Sequence, residues 1–142
     1  MSRMTRDQAL ARLLDGIQDD IRACTAIRDV LERQFQAALR HRGAELATLA
    51  GELTPQLDTM EQRRQQRVQL VRALFGQQAG MEHLFSSLPA AQRGGASAAW
   101  DQLEQLVRDC KRATTRNTNL MAEQHSVMQR LMHGEDQTYA PR

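Results

Sequence analysis

Residues 10–39 read LARLLDGIQDDIRACTAIRDVLERQFQAAL. Leu10, Leu13, Leu14, Ile17, Ile21, Cys24, Ile27, Leu31, Phe35, Ala38 and Leu39 recur every three or four residues along it. That spacing predicts one amphipathic helix from about Thr5 to Arg40, with Thr5 or Ser2 as its N-cap. Gly16 inside the pattern costs up to about 1 kcal/mol relative to alanine, which the rest of the stripe outweighs. At about 1.5 Å per residue the helix is roughly 50 Å long, longer than a compact globule needs. Its length points to an elongated bundle or coiled coil.

Moving outward, His41-Arg42-Gly43 reads as a stop and turn, after which Leu46, Leu49 and Leu53 restart a helical stripe. Thr54-Pro55 interrupts it, with two readings open: Thr54 caps a new helix that has Pro55 in its first turn, or one helix continues through a kink. Leu57, Met60, Val68, Val71, Leu74 and Phe75 carry the stripe on to Gly76. Two glycine-, serine- and proline-rich runs, 76–80 and 86–97, mark a connection, and Met81, Leu84, Phe85 and Leu88 between them have the spacing of a short helix. A last long helix is expected from about Ala98, capped by Ser97, to His133, with Gly134 as its stop. A polar, mobile tail over 134–142 follows. The whole is read as a single all-α domain, 1–142: an elongated antiparallel three-helix bundle or coiled coil with a short connecting helix.

Composition supports this class. In 142 residues aromatics make up 4%, too few for a β-sandwich or a deep aromatic pocket. Lys111 is the only lysine among 19 basic residues, so arginine supplies the other 18. A formal net charge of +2, with acids and bases interspersed, argues against a protein built to grip many phosphates. No stretch approaches the roughly 20 apolar residues of a membrane span, and a cytoplasmic, reducing location is the expectation. The two cysteines, Cys24 and Cys110, fall at core positions and outside any zinc-ligand spacing.

Catalytic and cofactor chemistry finds no footing. His41, His83, His125 and His133 are scattered singly, no HExxH, ExxH or CxxC pattern occurs, and Gly94-Gly95 lacks the lysine of a phosphate-binding loop. No catalytic residue, cofactor or metal is therefore assigned. Arg63, Arg64, Arg67 and Arg72 form a local basic stretch without aromatic platforms, so it reads as a solvated face whose arginines reach acids of neighbouring helices rather than as a nucleic-acid site.

The last helix is the most informative. Thr114, Asn117 and Gln124 interrupt its apolar stripe near core positions, and its later half carries Met121, Met128 and Met132. Methionines are flexible enough to repack around different partner helices, although they also serve as gap-fillers within a bundle core. The mechanism expected is an apolar groove that accepts an amphipathic helix from another chain.

The order of features, a long first helix, a leucine-rich second, a short connection, a Trp100-bearing last helix and an acidic tail with one tyrosine, resembles the FlgN family of flagellar export chaperones. The resemblance spans essentially the whole chain in pattern, with specific motifs only near the C-terminus. An Asn-x-x-Asn-Gly pattern of that family meets Thr114-Thr-Arg-Asn117-Thr here, matching at the second asparagine, and Gln137-Thr138-Tyr139-Ala140-Pro141 fits the family's tail. The resemblance implies a cytoplasmic chaperone that binds helical terminal regions of hook-associated flagellar proteins. It implies also that the chaperone prevents their premature assembly and delivers them to the flagellar type III export gate and its ATPase apparatus. It places cargo binding on Leu120, Met121, Met128, Leu131 and Met132, and export-gate docking on Tyr139. The chief rival is a self-associating coiled-coil structural or secretion-apparatus protein, whose stripes its own copies would satisfy.

Overall fold

The computed structural model describes residues 4–139, with side chains described up to residue 134. The described residues fold into four helices: α1 (Arg6–Leu39), α2 (Gly43–Phe75), α3 (Met81–Ser87) and α4 (Ala90–Tyr139). Thr5 starts α1 with a reciprocal capping box: its hydroxyl accepts from the Gln8 amide at 3.1 Å and its own amide donates to Gln8 Oε1 at 2.9 Å. The α1 terminus is closed by main-chain bonds from Arg42 to Ala37 O and from His41 to Ala38 O. This is the Schellman arrangement, and it requires a left-handed residue that His41, at φ 53°, supplies where glycine is usual. Gly43 therefore opens α2 and plays no part in stopping α1. Of the two readings of Thr54-Pro55, the continuous helix is the one found. Pro55 and Gly51 are both exposed, so the Gly51 carbonyl that the proline leaves without a donor faces water.

Three contacts along α1 show that α2 runs antiparallel to it: Arg33 with Glu52, Asp20 with Arg63 and Arg67, and Arg6 over Phe75. Parallel packing of α4 on α1 is equally plain, since Cys110 meets Cys24, Asn117 meets Leu31 and Gln124 meets Ala38, each 86 residues apart. α1 is thus the spine, flanked by α2 and α4. Those two meet each other mainly through side chains, with Arg67 stacked over Trp100 at 5.1 Å and Met60 against the Leu103 layer. The core is a series of clusters rather than one centre. Leu13, Val71 and Leu84 close the base, Ile17, Cys24, Leu103 and Leu106 fill the middle, and Val30, Ala37 and Leu49 join α1 to α2 at the top. α3 packs its Leu84 into the base, with Met81 and Phe85 touching both lower clusters.

Two boundaries differ from the sequence reading, both on α4. The helix begins at Ala90 rather than near Ala98, so Ser97, Gly94 and Gly95 lie inside it. The early start has a local cause. Pro89 accepts from the amides of Gln92 and Arg93, and the Arg93 guanidinium donates to Phe85 O and Leu88 O, tying the new helix to the end of α3. The helix also passes Gly134, where a stop was expected, and continues to Tyr139. The expected tail over 134–142 falls partly on residues outside those described.

Candidate protein-docking surface

The seam between α1 and α4 sets where the surface lies. On α4, Leu103, Cys110, Asn117 and Gln124 recur every seven residues, the period of a coiled-coil seam. The lower positions are apolar, with Leu103 and Leu106 buried. The upper ones are polar and spend their donors on α1: the Cys110 thiol on Cys24 O at 3.6 Å, Asn117 Nδ2 on Leu31 O at 2.8 Å and Gln34 Oε1 at 2.9 Å, and Gln124 Nε2 on Ala38 O at 2.9 Å. Asn117 is 1% exposed, and its remaining oxygen accepts from Arg116 Nε at 3.1 Å. These polar interruptions of the stripe are hydrogen-bonding layers, fully buried at Asn117, whose amide nitrogen and oxygen are both in use, and half-buried at Cys110 and Gln124.

Gln124 is level with Ala38, one residue before α1 ends at Leu39. Beyond that level α4 runs on, and every residue from 125 to 134 is exposed. Val127 (43%), Met128 (56%), Leu131 (63%) and Met132 (58%) continue the same apolar stripe into solvent. Val127 and Leu131 hold the seam positions themselves, where the equivalent α1 residues would be His41, already in the turn, and Glu45, already in α2. The stripe outlasts its partner helix.

The residues expected to bind cargo therefore divide. Leu120 and Met121 are half-buried, between the Asn117 and Gln124 layers that grip α1. Met128, Leu131 and Met132 are exposed and lie together on the protruding end. Val127, absent from that expected set, opens the patch at the end nearest α1, and its seven-residue step from Leu120 is the signal that finds it. Tyr139 ends α4, and its side chain lies outside the described residues.

A second cluster ties the three long helices together lower down. Asp20, 1% exposed, receives Arg63 Nη1 at 3.2 Å on one oxygen and Arg67 Nη1 at 2.6 Å on the other. Arg67 in turn stacks on Trp100 of α4. Half of the basic stretch thus serves the fold. Arg64 instead pairs with the neighbouring Glu61 on the solvated face of α2 and holds that carboxyl down to about 2 through its hydrogen bonds. An open groove of about 670 Å³ runs beside this cluster, between Arg12 and Asp15 of α1 and Gln66 and Gln69 of α2. Among the described residues no group of three or more His, Cys, Asp or Glu side chains is arranged to hold a metal ion. No described helix is long and apolar enough to cross a membrane.

An exposed apolar stripe on a helix held in fixed register by the rest of the fold defines a helical protein with a surface suited to binding other proteins. The family described as FlgN protein matches residues 1–134, nearly the whole chain, and the chain belongs to that family of flagellar chaperones. Comparison with curated proteins gives no match. Comparison with solved structures gives none either.

Proposed function

We propose that the protein is a cytoplasmic export chaperone that binds the helical terminal regions of hook-associated flagellar proteins, prevents their premature assembly and delivers them to the type III export gate. The observation that carries this reading is the exposed Val127, Met128, Leu131 and Met132 stripe on the protruding end of α4, in a chain of the FlgN family. An amphipathic cargo helix laid on the stripe buries its own apolar face as it orders, and the ordering cost keeps the complex releasable. Met128, Leu131 and Met132 are the primary contacts, and Leu120 and Met121 extend them where α4 is less exposed. Tyr139 is the docking residue for the export gate and its ATPase apparatus, because one aromatic in a pocket can dominate a small interface. The long helices work as an elongated antiparallel three-helix bundle that presents the α4 end.

The test is co-purification of the tagged full chain from flagellated cells, with mass spectrometry and sizing of what comes with it. Recovery of hook-associated proteins in a one-to-one complex supports the reading, and a partner-free homo-oligomer overturns it in favour of a self-associating coiled coil.

A further inference from the structure

Cys24 and Cys110 are the only cysteines in the chain, and both are free. They lie on different long helices at the same level of the α1 and α4 seam, separated by the same 86 positions as the Asn117 and Gln124 layers above them. The Cys110 sulfur is 3.6 Å from the main-chain oxygen of Cys24 itself. Helices packed roughly 8–10 Å apart, each carrying its Cα atoms about 2.3 Å from the axis, bring facing Cα atoms to roughly 3.4–5.4 Å, whose upper half falls within the disulfide range. A disulfide needs about 4.4–6.8 Å.

We propose that Cys24 and Cys110 form a redox-modification site, at which a low-molecular-weight disulfide such as glutathione disulfide oxidises the pair to a bond joining α1 to α4 at mid-length. Cys110 is half-buried and Cys24 only 3% exposed, so Cys110 reacts first. Its thiolate attacks one sulfur of glutathione disulfide and expels a glutathione thiolate. The Cys24 thiolate then attacks the Cys110 sulfur of that mixed disulfide and expels the second. The two protein thiols lose two electrons and their protons, and glutathione disulfide becomes two molecules of glutathione. Burial sets the pace. It is the main cause pushing the Cys24 thiol up to about 11, with Cys110 and Asp20 adding to it and Arg67 opposing, and it raises Cys110 as well, between Arg28 and Asp109. Both thiols are therefore protonated near neutral pH, and the site answers sustained oxidant while staying reduced in an ordinary reducing compartment.

The experiment incubates the native full chain with glutathione disulfide at rising concentration and follows intact mass, free-thiol titre and thermal midpoint. The expected result is loss of both thiols together, a mass lower by two hydrogens, a Cys24–Cys110 linked peptide on digestion, and an upward shift of the thermal midpoint that dithiothreitol reverses. In Cys24→Ser the glutathione adduct on Cys110 is expected to persist, because the second thiol is missing. A stable mixed disulfide on the wild-type chain, a covalent dimer, or a linkage that forms only in denaturant would overturn the proposal.

Discussion

Asp20 shows how much one residue in the stripe can decide. It falls between Ile17 and Cys24 on the apolar face of α1, is 1% exposed, and has both oxygens taken by arginines of α2. Removing one partner of a buried pair leaves the others unpaired, which costs about 3–5 kcal/mol when they cannot reach water. Arg63 is partly exposed and can turn outward. Asp20→Ala is therefore expected at the lower end, a loss of about 3 kcal/mol in urea unfolding, whereas Asp19→Ala on the exposed side changes little. Equal effects would remove Asp20 as the link between α1 and α2. Cys24 makes a pH prediction of defined sign. Its thiol is raised in the folded chain to about 11, above the roughly 8.5 of a free thiol. Its contribution to stability is thus fully present below about pH 8.5 and lost as pH rises through about 11. Melts of wild type and Cys24→Ser are expected to converge over that alkaline range, and a constant difference between them would contradict it.

At the scale of elements, the periodicity of α1 and the Met81 to Leu88 spacing were enough to find α1 and α3, because one strong apolar stripe determines each. The ends of α4 were not legible in the same way. Gly94 and Gly95 argue for a loop, but short-range contacts that helix propensity does not score, the Pro89 carbonyl accepting from Gln92 and Arg93 and the Arg93 bonds back to the end of α3, outweigh them. Asn117 and Gln124 were visible as interruptions of a stripe, but their acceptors are main-chain oxygens of α1, and no residue type announces those. A buried asparagine in a coiled-coil seam fixes register at a cost in stability. Asn117→Leu is accordingly expected to leave stability unchanged or raise it by about 1 kcal/mol, while spin-label distances between the upper halves of α1 and α4 broaden. A sharp fall in stability with a single narrow distance would show that the asparagine holds the fold and leaves the register to other contacts.

For the whole molecule, the decisive geometry is a mismatch of length. α4 has 50 residues against 34 in α1, and their parallel register places the surplus at one end, where an apolar stripe enters solvent. The candidate binding residues could be named from sequence as one methionine-rich stripe. Their division into half-buried Leu120 and Met121 and exposed Met128, Leu131 and Met132 depends on where α1 stops, and the left-handed turn at His41 fixes that point. Leu120→Asp is expected to destabilise the fold by about 1–3 kcal/mol, since it puts a charge beside the α1 seam. Leu131→Asp is expected within about 0.5 kcal/mol of wild type in the same denaturation experiment.

Client binding at the protruding end of α4, as proposed, is tested by the affinity of the co-purified partner for Met128→Asp/Leu131→Asp against the wild-type chain. The expected result is a loss of roughly a hundredfold or more in affinity with an unchanged thermal midpoint. Undiminished binding by a folded double variant would contradict it.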